Sequence, residues 1–116
     1  INFVTEFAIF FKKGRICIMN SKLKSKNFEY LFQAILSLES MEECQNFFDD
    51  LCTVPELKAM AQRLQVAKML SEHRVYSEIV SETGASTATI SRVNRSLSYG
   101  SDGYTVVFDR LDADNE

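Results

Sequence analysis

One histidine, one proline and an odd number of cysteines set the first bounds on this chain. The lone His73 has no second His or Cys near it in sequence, so no metal site is expected around it. Cys17, Cys44 and Cys52 include no C-x-x-C pair, which argues against a disulfide framework or a cysteine-rich zinc site and for reduced thiols in a cytoplasmic protein. Cys44 and Cys52 stand two helical turns apart and read as core packing on one apolar face. No G-x-S-x-G, no P-loop and no Cys/His pairing occurs. General acid–base chemistry wants a His or a carboxylate of shifted pKa in a pocket, and His73, between Glu72 and Arg74 near a predicted helix end, reads as exposed. The chain is therefore not expected to be an enzyme, and no cofactor is implied. Nor does any apolar run reach the roughly 18–20 residues that cross a bilayer, so no membrane partner is expected. The "FAIFF" near the start is too short for a signal h-region, follows Glu6 and lacks a basic stretch before it. There is no internal repeat and no low-complexity segment.

What is present suits a helical domain. At 116 residues, 46% of them hydrophobic, the chain is long enough for one domain with a real core. With only 4 Gly and 1 Pro among many Leu, Ala, Glu, Lys and Gln, helices are favoured. The net charge of −3 excludes a polycation that coats nucleic acid, so any such contact must be local. Met19 is the first methionine. Residues 1–18 are expected to be an N-terminal extension ahead of it. The alternative is an amphipathic helix in which Phe3, Val4, Phe7, Phe10 and Phe11 cap the core. Residues 19–116 then form the domain proper.

From Phe28 the pattern is helical: Phe28, Leu31, Phe32, Ile35, Leu36 and Leu38 fall near one face. Ser40, with Glu43 three residues on, has capping-box spacing before a short helix striped by Phe47, Phe48 and Leu51. Thr53 is a natural N-cap for a third helix, with Pro55 in its first turn and Glu56 at the capping-box position. Leu57, Met60, Ala61, Leu64, Ala67 and Leu70 are expected along one side of it, with Arg63 and Lys68 pointing elsewhere. So many apolar faces on a short chain call for a compact bundle or a partner subunit, and a homodimer is the economical expectation. At the far end Tyr104, Val107, Phe108 and Leu111 match a helical period, while "TVVF" has strand propensity. A short helix is the favoured reading over 103–111, and "DADNE" reads as a frayed acidic end.

Between these lies "RVYSEIVSETGASTATISRVNRSL". Its spacing is that of a helix-turn-helix over about 77–97. A first helix runs about Ser77 to Thr83, Gly84 supplies a positive φ for the turn, and Ser86 caps the second helix. Ile79, Ala85, Ile90 and Val93 are expected to pack the two helices together. After Glu82 no Asp or Glu occurs until Asp102. That gap is what a helix in the DNA major groove needs, because exposed carboxylates would face phosphate. Small residues let the backbone approach, hydroxyls bond base edges or phosphates, and Thr or Ala methyls touch the thymine methyl. Thr87, Ala88 and Thr89 are the candidates to face bases. Ser86, Ser91, Arg92 and Arg95 are the candidates to face phosphates of double-stranded DNA. Ser/Thr/Ala-rich helices also form close-packed interfaces, so a helical protein-interaction module without DNA binding stays open. Lys22, Lys24 and Lys26 form a second basic run, read as a solvated helix start rather than a DNA-touching arm.

From about Leu51 to Leu97 the chain resembles the Trp repressor superfamily, through "TVPE", Arg63 ten residues after Thr53, and "GASTATISR" with "NRSL" behind it. The closing "YGSDGYTVVFDRL" is similar to the YerC/YecD-like branch, and the resemblance extends over roughly Lys26 to Leu111. It implies an all-α Trp repressor-like domain in an intertwined homodimer, with each subunit offering one helix-turn-helix to successive major grooves. The implied function is transcriptional regulation, by repression. The resemblance also carries over three positions of the corepressor pocket, Thr53, Arg63 and Arg92. Val93, however, stands where the Trp repressor has a Gly, and the turn ahead of the helix-turn-helix is one residue shorter. A branched side chain there would fill room that a ligand needs, so tryptophan is a poor candidate and the small-molecule effector, if there is one, is unidentified. The alternative for Arg63 and Arg92 is a plain ion pair with acids such as Glu56 and Glu82.

Overall fold

A computed structural model describes residues 25–115, and among these it holds six α-helices and no strand. The fold is all-α, as expected. Residues 1–18, and with them the expected extension and its helical alternative, lie outside the described residues, as do Lys22 and Lys24. Two compact units meet in sequence between Leu51 and Cys52.

The first unit contains α1 (Lys26–Leu36) and α2 (Met41–Leu51). Helix α1 starts where the Ser25 side chain accepts the Phe28 N–H at 3.3 Å, with Glu29 in the first turn favoured by the helix dipole. It ends at Ser37, whose hydroxyl donates to the Ala34 carbonyl at 2.6 Å. At the start of α2 the Ser40 hydroxyl accepts the Glu43 N–H at 3.1 Å. The Glu43 carboxylate reaches back one residue further than a capping box does, to the Glu39 N–H at 3.0 Å. Phe47 and Phe48 meet edge to face, ring centres 5.6 Å apart. No residue of α1 or α2 is fully buried: Leu31, Phe32, Ile35, Phe47 and Phe48 are half-buried, and Tyr30, Leu36 and Met41 are exposed. Cys52 falls past the end of α2, so it does not share a helix face with Cys44; both are free, half-buried thiols.

The second unit contains α3 (Val54–Ser71), α4 (Tyr76–Thr83), α5 (Thr87–Tyr99) and α6 (Gly103–Asp114). Thr53 and Glu56 close a full capping box: the Thr53 hydroxyl accepts the Glu56 N–H at 3.3 Å, and the Glu56 carboxylate accepts the Thr53 N–H at 2.9 Å. At the other end of α3 the Arg74 N–H bonds the Met69 carbonyl and the His73 N–H bonds the Leu70 carbonyl, both at 3.0 Å. This is a Schellman closure with His73, at φ 61°, in the left-handed position that glycine usually fills.

The core of this unit is Val66, Ala67 and Met69 from α3, Ile79 from α4, Ala85 from the turn, Ile90 and Val93 from α5, and Phe108 from α6. Burying a Val, Ile, Met or Phe side chain contributes about 1.5–3 kcal/mol, so these few residues set the packing. The expected apolar side of α3 needs correcting. Of Leu57, Met60, Ala61, Leu64, Ala67 and Leu70 only Ala67 is fully buried; Leu57 and Leu70 are half-buried, and Met60, Ala61 and Leu64 are exposed. Helix α3 carries apolar residues on more than one side, and the core takes the side of Val66 and Met69 near its C-terminal end.

The closing segment is a helix rather than a strand. Its period places Tyr104, Phe108 and Asp112 one turn apart on one face. Tyr104 stacks on Phe108 at 5.9 Å, and Lys68 of α3 lies 5.2 Å from the centre of the Phe108 ring while bonding the Asp112 carboxylate at 2.9 and 3.0 Å.

Candidate nucleic-acid interface

Helices α4 and α5 are joined by three residues, and each has a stated task. Gly84 adopts φ 70°, the left-handed conformation that ends α4, and its N–H bonds the Val80 carbonyl at 2.9 Å. Ala85 is buried. Ser86 is extended and its hydroxyl accepts the Thr89 N–H at 3.1 Å, capping α5. The side chain of Thr83 ties the turn to the helix before it, donating to the Ile79 carbonyl at 2.7 Å and accepting the Ala85 N–H at 3.1 Å. From α3, Gln62 donates to the Thr83 carbonyl at 3.1 Å. Ile79, Ala85, Ile90 and Val93 are all buried, as the spacing predicts. Helix α5 is therefore held at its start by caps and along one side by the core.

The helical period divides α5 into two faces. Ile90, Val93 and Leu97 turn inward, Leu97 half-buried beside the core. On the opposite side Ala88, Arg92, Arg95 and Tyr99 stand at i, i+4, i+7 and i+11, with Ser91 beside them, and all five are exposed. Thr87, at the first helical position, is also exposed, as is Ser86. Thr89 is half-buried, and its hydroxyl oxygen accepts a bond from the Ser86 hydroxyl at 3.0 Å. The seven residues singled out from the sequence thus lie on or beside one exposed surface that carries two cations and no acid.

The acids on α4, ahead of this surface, are already answered, while Asp102, the next acid beyond α5, is exposed and in no ion pair among the described residues. The Arg74 guanidinium bonds the carboxylates of both Glu78 and Glu82 along α4. Those bonds, to Glu78 first and then Glu82, raise its pKa further above the usual arginine range, so it stays charged. Glu56 is spent in the α3 cap, where bonds from the Thr53 N–H and hydroxyl hold its carboxyl below the usual range. The expected alternative for Arg63 and Arg92, ion pairs with Glu56 and Glu82, is therefore not formed: among the described residues neither arginine makes an ion pair. Arg63 is half-buried on α3 and Arg92 exposed on α5. Thr53, the third carried-over pocket position, has its hydroxyl engaged by Glu56 on both its donor and its acceptor side. Val93, at 2% exposure, is a core residue.

Sequence reasoning passed over Tyr99, Gln62 and Arg74. The i+11 spacing from Ala88 was a signal for Tyr99. Nothing in the sequence marks the long-range bond from Gln62. Arg74 stands four and eight residues before Glu78 and Glu82, which is salt-bridge spacing on a continuous helix, but it lies just ahead of α4 and the signal is weak.

Among the described residues no helix is long and apolar enough to cross a membrane. Residues 26–112 match the family model described as Trp repressor protein. The chain is 57% identical over 90 residues to YerC, an uncharacterized protein of Bacillus subtilis (strain 168), covering 78% of this chain and 86% of that protein. Two crystal structures resemble it closely. One is a TrpR-like protein from Eubacterium eligens ATCC 27750, with a TM-score of 0.78, 60% identity, and coverage of 80% of this chain and 96% of the other. The second is a candidate Trp repressor from Staphylococcus aureus, with a TM-score of 0.75, 56% identity, and coverage of 78% and 91%.

Proposed function

The chain belongs to the Trp repressor family, and from that premise we propose that it is a sequence-specific, DNA-binding transcriptional regulator, a cytoplasmic repressor that acts as a homodimer. The observation that carries this reading is the two-sidedness of α5. One side is buried by Ile90 and Val93, and the other presents Ala88, Ser91, Arg92 and Arg95 in a stretch free of acid from 83 to 101. Placed in the major groove, that surface sets the start of the helix and Thr87 and Ala88 against base edges, with Thr89 behind them. The Ser86, Ser91, Arg92 and Arg95 side chains would bond phosphates. The rest of the chain, net acidic, orients the dimer with this patch toward DNA.

The dimer is supported by what each unit leaves uncovered. In α1 and α2 nothing is fully buried. On α3 Val54, Met60 and Leu64 are exposed. Apolar surface of this extent is characteristic of a chain that folds against a second copy. As for an effector, the full burial of Val93 and the engagement of Thr53 in its cap argue against tryptophan.

Titration of duplex DNA with the full chain over a range of salt concentration tests the reading. Binding should weaken steeply with salt, the logarithm of the affinity falling by about 0.9 for each phosphate neutralised per logarithm of salt. Arg92→Ala and Arg95→Ala should each flatten that slope by about one phosphate. No affinity for DNA, or an affinity indifferent to salt, would overturn the reading in favour of an apolar protein-interaction module.

A further inference from the structure

We infer that Tyr99 is a positioning residue for DNA: its phenolic hydroxyl donates to a phosphate oxygen of the duplex, at the far end of the face that Ala88, Arg92 and Arg95 begin. The inference rests on the DNA-binding reading above and adds to it a contact outside the base-facing turn.

Three observations lead to it. Tyr99 completes the i, i+4, i+7, i+11 stripe, directly opposite Ile90, Val93 and Leu97, so it shares the direction of the two cations rather than that of the core. It is 87% exposed, and among the described residues neither its ring nor its hydroxyl has a partner. Tyr104, five residues on, shows the contrast, stacked on Phe108 at 5.9 Å. Finally, the end of the helix is built to stop there. The Gly100 N–H bonds the Ser96 carbonyl at 2.9 Å, and a Cβ on Gly100 would lie 2.3 Å from that same carbonyl oxygen. Only glycine allows the chain to leave α5 at this point and return to α6, which Lys68 and Asp112 fasten to α3. Tyr99 is thus the last residue of a fixed helix, not part of a frayed end.

The geometry then selects a phosphate over a base. With a rise of 1.5 Å per residue, Ala88 and Tyr99 stand about 16 Å apart along the axis, more than the roughly 12 Å width of the major groove. A helix that lays its first turn on base edges carries its last turn to the groove wall. There a neutral O–H donor meets backbone oxygens, which carry no sequence information. Arg95, one turn earlier, supplies the charge that brings a phosphate to this end of the helix.

The test compares the full chain with its Tyr99→Phe and Arg95→Ala variants, on a selected binding site and on an unrelated duplex. Tyr99→Phe keeps the ring and removes only the donor. It should weaken binding about tenfold or more, the worth of one hydrogen bond to a charged acceptor, equally on both duplexes and with an unchanged salt slope. Arg95→Ala should flatten the slope. If Tyr99→Phe binds like the unaltered chain while Arg95→Ala shows its changed slope, the inference about Tyr99 fails and the DNA reading stands. A loss confined to the selected site would also overturn it, making Tyr99 a base contact. If the unaltered chain binds neither duplex, both fail together.

Discussion

Gly84 sits at φ 70° with open space where a Cβ would stand, whereas Gly100 has ordinary backbone and no space at all. Alanine should therefore act differently at the two sites. At Gly84 the cost is left-handed strain alone, about 1–2 kcal/mol, and the turn keeps its shape. At Gly100 the new methyl collides with a backbone carbonyl that cannot move without unwinding the end of α5, so the loss should be larger. Denaturant unfolding of the two variants would show the order. His73 offers the opposite case: a non-glycine residue in the left-handed position, so that His73→Gly should stabilise the protein by about 0.5–1 kcal/mol, the relief of strain less the added freedom of the unfolded chain. The sequence announced Gly84, because its place between two apolar stripes demands a turn. It could not announce Gly100, whose need arises from a carbonyl four residues back, nor His73, because nothing in its neighbours calls for a left-handed residue.

The Thr53 cap was readable because every part of it is local: Thr, Pro two residues on, Glu at three. Thr53→Ala should cost about 1 kcal/mol, and the difference should depend on pH. Glu56 is held below its usual pKa by Thr53 in the folded chain, so its contribution is complete above the ordinary carboxylate range and is lost as pH falls through the depressed folded value. Thermal unfolding of both proteins should therefore differ more at neutral pH than in acid, where the Thr53 hydroxyl still accepts the Glu56 N–H but no longer bonds a charged carboxylate. The burial of Ile79, Ala85, Ile90 and Val93 was equally legible, since Ile79 lies on the apolar stripe of the first helix, Ile90 and Val93 on that of the second, and Ala85 in the tight turn between them. The face of α3 was not. A helix with apolar residues on several sides has no single stripe, and the choice of Val66 and Met69 as its core side is made by the helices that pack on it, which its own sequence does not describe. The Lys68–Asp112 and Gln62–Thr83 contacts escaped for the same reason, being separated by 44 and 21 residues. Val93→Ala should cost about 2 kcal/mol as a core truncation. If Val93 also closes an effector pocket, that variant or Val93→Gly should gain affinity for an indole ligand, readable by calorimetry.

Under the proposed function, an acidic helical protein reads DNA through one acid-free helix face held against its core by Ile90 and Val93. The proposed dimer is part of that reading, because one helix-turn-helix reaches a single half-site and a pair reads a two-fold one. The most direct test is selection of genomic DNA fragments on the purified full chain at physiological salt, with and without tryptophan, beside a Thr87→Ala/Arg92→Ala variant. The expected result is recovery of a two-fold-symmetric site whether or not tryptophan is added, and its loss in the variant. Recovery of no site under either condition, or of the same site by the variant, would contradict it.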